Sequence, residues 1–410
     1  MKVDRLELNN FRNYSFLDLK VSPHINILMG ENAQGKTNIL EAIAYFSNGT
    51  SQRIQRQEEL IKEKERSFYI KLEFINRDQR KEEIEISFPQ QDKPTRLIKV
   101  NKLTVPRLSD LYGNFNTVLF SPDDLLLVKQ GPSKRRNYLN LLITQYSSAY
   151  FRKLQEYQNF LKQRNALLKQ IKVEVNQGRI SIEEIKKFSS AGAGNRVDLT
   201  LLNLQIWTEQ LIDVAVDILQ YRAKCIAKIS SKANSLMQEI SENKESLEVK
   251  YRTYSHMQSL ILALQREEIA EEEFRQKSKE KIRERYFSVL VDDVFSGRTS
   301  QGTHLDDLEI VINDKSVKSF ASQGQQRSAV LALKLAELQI IEEETKNLPV
   351  LLLDDVLSEL DKKRRQKLLK MVERNQVFIS CTDIDKLSIN QEIKKRAKIF
   401  EVKQGKVYVH

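Results

Sequence analysis

The strongest chemical signal in the chain is the run Gly30-Glu31-Asn32-Ala33-Gln34-Gly35-Lys36-Thr37, which fits G-x-x-x-x-G-K-[ST] at every position. This spacing binds phosphates for a physical reason. The glycines let the backbone curl until successive N–H groups face one anion, and the lysine reaches the outer phosphates. Thr37 offers a hydroxyl to Mg²⁺, and Asn38 follows it into a helix whose N-terminal dipole favours negative charge. Far along the chain, the apolar run Val350-Leu351-Leu352-Leu353 stops at Asp354-Asp355. A buried strand ending in carboxylates presents them at the carboxyl edge of a sheet, where ligands of α/β proteins sit. Asp354 is expected to hold Mg²⁺ and Asp355 to orient or deprotonate an attacking water. Lys36, Asp354 and Asp355 are therefore the candidate catalytic set. Between the two motifs, Ser322-Gln323-Gly324-Gln325 opens a helical pattern. Ser322 reads as an N-cap and Gly324 as a point of close backbone approach.

Groups so far apart in sequence need a scaffold that joins both ends of the chain. Val3 to Leu8 alternates apolar and polar residues, as do Phe68 to Phe74 and Glu83 to Phe88, which predicts strands with one wet face. Ile25 to Met29 is a short apolar strand running into Gly30, and Asn38 to Phe46 reads as a buried helix. After residue 305 come a strand (Leu308 to Ile312), a helix (Ser328 to Glu344), the aspartate strand, a basic helix (Lys362 to Arg374) and a buried strand (Val377 to Ser380). Alternating β and α elements with apolar strands predict an α/β fold on a mainly parallel sheet.

The middle of the chain differs. Tyr150 to about Arg285 is charged and helical in pattern. Leu204, Leu211, Ile218 and Cys225 recur at seven-residue spacing, joined by Trp207, Val214 and Tyr221. Leu154, Tyr157, Leu161, Leu168 and Ile171 form a similar stripe broken by Arg164. Two helices in an antiparallel hairpin would bury both stripes, with Ser189 to Asn195 as a flexible turn. An ordinary helical bundle is favoured over a projecting coiled coil. The expected organisation is a split head, 1–132 and 300–410, with an α-helical lobe inserted at 133–299.

Composition narrows the function classes. The 410 residues carry a net charge of +11, which favours an anionic partner such as nucleic acid. Two cysteines exclude a disulfide framework, and there is no Cys/His cluster for structural zinc. No apolar run approaches membrane-spanning length, and the start MKVDRLELNNF lacks an apolar leader core, so a cytoplasmic protein without membrane attachment is expected. Three charged groups carry two readings each. Lys134, Arg135 and Arg136 at a helix start would meet either a phosphate backbone or structural ion pairs. The run Lys362, Lys363, Arg364, Arg365 and Lys367 reads as a solvated helix face rather than a DNA site. His304 with Asp306 and Asp307 reads as a turn network rather than a metal site.

Phosphate loop, Ser-x-Gly-Gln turn and Asp-Asp strand in this order resemble the ABC-type ATPases. The length of the insertion, intermediate between transporter subunits and SMC proteins, makes the chain similar to the RecF family. Leu8 to Tyr14, Phe120 to Leu125, Gly131 to Leu139, Thr299 to Leu308, Phe320 to Arg327 and Leu351 to Asp361 resemble that family's motifs. Gln130, Asn140, Thr303, Leu305 and Gln52 depart from them, and about Lys172 to Leu202 is longer than in relatives. The resemblance implies a P-loop ABC-type ATPase head, with a mixed sheet, flanking helices and an inserted helical lobe. It implies ATP with Mg²⁺ sandwiched in a homodimer, where Ser322, Gly324 and Gln325 contact the γ-phosphate held by the second head. Ser358 to Asp361 would line the same interface, Thr382-Asp383 would supply the switch residue, and Arg12 would contact the nucleotide unless it is an ordinary turn arginine. By the same resemblance the protein is a slow, DNA-stimulated ATPase that clamps gapped, single-stranded or junction DNA. It would act with RecR and RecO to help RecA onto single strands in recombinational repair, replication restart and SOS induction. A compact SMC-like structural protein is the competing reading, and a hairpin projecting clear of the head would favour it.

Overall fold

The computed structural model describes residues 1–51, 53–89, 96–191, 198–253, 257–384 and 396–410. In chain order the first elements are β1 (Lys2–Phe11), β2 (Tyr14–Lys20), β3 (Ile25–Met29), α1 (Lys36–Asn48), β4 (Ser67–Ile75), β5 (Lys81–Pro89), β6 (Leu97–Val100), β7 (Leu103–Val105) and β8 (Thr117–Phe120). Next come α2 (Leu126–Lys129), α3 (Pro132–Tyr146), α4 (Ser148–Asn176), α5 (Ile182–Ala191), α6 (Leu199–Ser241), β9 (Leu247–Arg252), α7 (Gln258–Gln265), α8 (Glu271–Ser288) and α9 (Leu290–Ser296). The chain then forms β10 (Asp307–Ile312), β11 (Lys315–Ser316), α10 (Val317–Phe320), α11 (Gln323–Thr345), β12 (Val350–Asp354), α12 (Val356–Glu359), α13 (Lys362–Met371), β13 (Val377–Cys381), β14 (Ala397–Lys403) and β15 (Lys406–Val409).

Three sheets follow from the residue patterns. The alternating strands build an antiparallel sheet in the order β2-β1-β4-β5-β6-β7. Its buried face carries Phe68, Ile70, Leu72 and Phe74 from β4 alone. The apolar strands build the second sheet, β15-β14-β3-β13-β12-β8, parallel at every pairing except β14 with β15. Every residue of β12 is buried, because both faces of this sheet are covered. Leu351 and Leu353 point into a core shared with α6 and α11, whereas Val350 and Leu352 point into a core shared with α1 and the antiparallel sheet. The third sheet, β11-β10-β9, is antiparallel and packs on α6. Strand β9 lies inside the stretch read from sequence as helical. Leu247, Val249 and Tyr251 on β9 alternate inward, a signal too short to stand out from the surrounding helical periodicity.

The two long helices α4 and α6 pack on each other. Leu204, Leu211, Ile218 and Cys225 of α6 are buried, as are Tyr157, Leu168 and Ile171 of α4. The hairpin does not stand clear of the head, because α6 also packs along α11, with Lys228 paired to Glu344 and Lys232 to Glu343. This is the bundle arrangement rather than a projecting coiled coil. Ser189, Ser190 and Ala191, assigned to a flexible turn from sequence, belong to α5, while the rest of that turn lies outside the described residues, as does Gln52. The backbone of α5 stays helical to Ala191, and its Ile185 and Phe188 fill a small apolar cluster with Leu168 and Leu201.

Arg164, the break in the α4 stripe, is fully buried. Its Nη1 donates to Asp293 Oδ2 at 2.9 Å and to Thr299 Oγ1 at 2.6 Å, its Nε donates to Thr208 Oγ1 at 3.0 Å, and the guanidinium lies over the Tyr286 ring. The charge interrupting the heptads thus ties α4, α6, α9 and the following loop together.

Candidate phosphate-binding site

The loop Gly30–Thr37 joins the carboxyl end of β3 to α1, as the motif requires. It is braced from three sides. Gly30 N–H donates to Cys381 O at the end of β13. Asn13 Nδ2 and Tyr14 OH, from the β1–β2 turn, donate to Gln34 O and Gly35 O at 3.0 and 3.1 Å. On the third side, the β14–β15 turn donates from Gln404 N to Gln34 Oε1 at 2.7 Å and from Gly405 N to Gln34 O at 3.2 Å. Sequence reasoning missed Asn13, Tyr14 and Gln404 as loop supports. Gln404-Gly405 shows only as a turn signal, and nothing local says that the turn lands on the loop.

Gly30 has φ of +153° and Gly35 of +116°. A Cβ on Gly30 would stand 2.3 Å from Val402 O of β14, and one on Gly35 would stand 2.6 Å from Asn13 Nδ2. Gly30→Ala therefore forces β14 away from β3. The expected result is a loss of about 2 kcal/mol or more of stability together with weakened ATP binding, read by urea denaturation and nucleotide titration of the same sample.

The chemistry-bearing side chains converge on this loop. Thr37 Oγ1 donates to Asp354 Oδ1 at 2.9 Å, and Ser380 Oγ donates to the same oxygen at 2.7 Å. Ser380, one strand over on β13, also accepts from Asp355 N at 2.9 Å, so it holds both aspartates in register. Asp355 sits in the left-handed region at φ of +53°, a conformation that Asp tolerates better than most residues. Ser358 Oγ donates to the Asp355 carboxylate at 3.1 Å. Lys36 Nζ donates to Gly30 O and Glu31 O, both at 2.6 Å. Burial lowers the pKa of this amine, partly offset by Asp355, Cys381 and Asp354. Burial pushes the neighbouring Cys381 thiol up to about 11, so it stays protonated near neutral pH.

These residues fit a nucleoside triphosphate with Mg²⁺. Among the described residues, the N–H groups of Glu31, Asn32, Ala33 and Gly35 have no hydrogen-bond acceptor, which leaves them as donors along the loop. A threonine hydroxyl beside an aspartate is a hard oxygen donor set suited to Mg²⁺.

Other predicted residues make no hydrogen bond to Lys36, Asp354 or Asp355 among the described residues. Arg12, with φ of +54°, makes a bidentate pair with the buried Glu41 of α1, at 2.9 and 2.7 Å. Asn38 donates to Asn13 Oδ1 at 2.9 Å. Ser322, Gly324 and Gln325 form the N-terminus of α11. The Ser322 side chain caps Gln325 N–H as expected, and Gln325 Oε1 accepts from Ser322 N. Among the described residues, no hydrogen bond links this turn to the loop Gly30–Thr37. Arg135 is a structural ion pair with Asp307 at 2.7 Å, and Arg136 donates to Asp306 O. His304 bonds Tyr157 OH, and Asp306 takes Arg222 at 2.8 Å, Tyr251 and Thr253, so these residues tie the turn to distant helices and β9 rather than forming a network within it. The run Lys362–Lys367 departs from a solvated face. Arg364 turns inward onto Ser328, and Arg365 onto Leu360 O.

The family described as RecF/RecN/SMC N terminal domain matches residues 2–407. The chain is 37% identical to the DNA replication and repair protein RecF of Halalkalibacterium halodurans, over 99% of this chain and 98% of that protein. A solved structure of the recombination mediator protein RecF-ATP in the RecFOR pathway superposes with a TM-score of 0.81 at 33% identity, covering 100% of this chain and 99% of that one. The Smc head domain of Pyrococcus furiosus, solved with an extended coiled coil bound to the C-terminal domain of ScpA, shares the fold at a TM-score of 0.50 and 17% identity, over 100% of this chain and 96% of that one. By motif order, loop geometry and a match along almost its whole length, the chain belongs to the RecF family of DNA replication and repair proteins, built on the ABC-type ATPase head that SMC proteins share.

Proposed function

We propose that this chain is an ATP-gated DNA clamp of recombinational repair and replication restart. The observation that carries the reading is the separation of two half-sites. The phosphate loop with its aspartates is assembled within the chain, while the exposed Ser322-Gly324 turn meets none of it. A second copy bringing its own Ser322 turn to this loop would complete the site. The head would comprise 1–132 and 300–410, with the helical lobe at 133–299 carried on α11. Relatives named for ATP and for the RecFOR pathway support the same reading.

In this arrangement the loop N–H groups and Lys36 grip the phosphates, while Thr37 and Asp354 would hold Mg²⁺. Bound Mg²⁺ would supply charge neutralisation on the phosphoryl oxygens. Asp355, fixed by Ser358 and Ser380, accepts a proton from the attacking water. Arg12, paired with Glu41 on the second turn of α1, would contact the nucleotide. Hydrolysis removes the γ-phosphate that joins the copies, so the clamp opens, a two-state switch driven by differential contacts. Phosphate-backbone contacts fit the +11 charge, and RecR, RecO and RecA would be the partners in a cytoplasmic pathway. No helix among the described residues is long and apolar enough to cross a membrane. The SMC-like structural role is the weaker reading, because α6 packs along the head.

The test is light scattering together with binding to a fluorescent gapped duplex, with and without ATP. ATP is expected to double the mass and raise DNA affinity in the wild type. Ser322→Arg should bind ATP normally yet need about 100-fold more protein to dimerise. A wild type that stays monomeric in ATP, with unchanged DNA affinity, would overturn the clamp.

A further inference from the structure

Arg364 is unexplained by the reading above. It belongs to the basic run after Asp361, yet it is half-buried, and its guanidinium is fixed at two points. Nε donates to Ser328 Oγ at 3.0 Å, and Nη1 donates to the Asp361 carboxylate. Ser328 Oγ in turn donates to Gly324 O at 3.1 Å, so the anchor stands on the first turn of α11. The remaining amino group, Nη2, lies 4.0 Å from the point where a Cβ on Gly324 would stand, and Ser322 Oγ lies 3.9 Å from the same point.

This placement is electrostatically costly. A helix N-terminus carries partial positive charge, and a cation beside it is repelled unless an anion is shared. Asp361 offsets part of that cost from one side of the guanidinium only. The side facing Gly324 is where the absence of a side chain lets another molecule approach.

We propose that Arg364 is a further binding residue for the terminal phosphate of ATP, acting in trans. Its Nη2 donates to the γ-phosphate held by the Lys36 loop of a second copy, together with Ser322 and Gly324. The inference rests on the sandwich reading above and adds a charged contact to it. Asp361 and Ser328 set the direction of the guanidinium, which links the turn after α12 to the start of α11. ATP then has a cationic partner on each copy, Lys36 from one and Arg364 from the other. ADP lacks the phosphate that would reach the second.

The test uses Arg364→Met, Arg364→Lys and Lys36→Met in the full chain. Arg364→Met should keep wild-type ATP affinity as a monomer, which also shows that it is folded. Its ATP-driven dimerisation should weaken by about 10²–10⁴-fold, the loss expected for one charge-assisted hydrogen bond at each of the two composite sites, and Arg364→Lys should recover part of it. Mixing Arg364→Met with Lys36→Met gives one composite site with both lesions and one with neither. Dimer mass and ATP turnover should therefore appear in the mixture and in neither protein alone. A wild type that dimerises, with Arg364→Met dimerising equally well, would overturn the role of Arg364 while leaving the sandwich standing. A mixture no better than its components would overturn action in trans. A wild type that never dimerises removes the sandwich itself.

Discussion

Lys36→Met is expected to cut ATP affinity on the order of 10³-fold, because it removes two charge-assisted contacts of about 1.5–3 kcal/mol each. The same substitution should leave the nucleotide-free protein as stable as the wild type or slightly more so. Lys36 is buried against two carbonyls, and burial disfavours its charge. A methionine of similar length carries no such desolvation cost. Stability and ATP affinity should therefore move in opposite directions in this variant. Titration with a fluorescent ATP analogue and urea denaturation on one preparation check both. Retained ATP affinity would show that the loop is not the phosphate site.

Arg164→Met is expected to destabilise the protein by about 3–5 kcal/mol, because it leaves Asp293 buried without its cation. Asp293 is fully buried, and its other oxygen is already taken by Ser300 N and Oγ. The double substitution Arg164→Met with Asp293→Leu should recover much of that loss, since removing both charges is far less costly than stranding one. The midpoint of urea denaturation for the two single variants and the double variant closes the cycle. If Arg164→Met alone were neutral, the pair would not be what joins α4, α6 and α9.

The strand–loop–helix around Gly30–Thr37 and the strand ending at Asp354 were legible in sequence because their determinants are local. A glycine loop between an apolar strand and a helix, or an apolar strand ending in two aspartates, states both its conformation and its position in a sheet. The supports of that loop were not legible. Ser380 aligns Asp354 and Asp355 from the neighbouring strand, and Gln404 reaches Gln34 from a distant hairpin, contacts decided by sheet order rather than by any motif. The lobe was legible in its stripes of Leu204, Leu211 and Ile218, while what fills the break at Arg164 was not. Arg164 broke the pattern as a charge, yet the fold buries it. Arg364 looked like one cation in a solvated run, because helical periodicity says which face a residue occupies and not what stands opposite.

The order of strands in the parallel sheet has a consequence for how the protein is made. β3, which runs into the loop Gly30–Thr37, lies between β13 and β14, and neither exists until almost 350 more residues have been translated. At ordinary elongation rates that interval is about 20–70 s. During it the antiparallel sheet beginning at β1 has its partners at hand and needs only short loops to close, whereas β3 waits as an unpaired apolar strand. A chain stalled before β13 would carry the full Gly30–Thr37 motif yet lack Cys381 and Gln404 to hold it. The bracing of this loop is therefore completed only once β13 and the β14–β15 turn have been made.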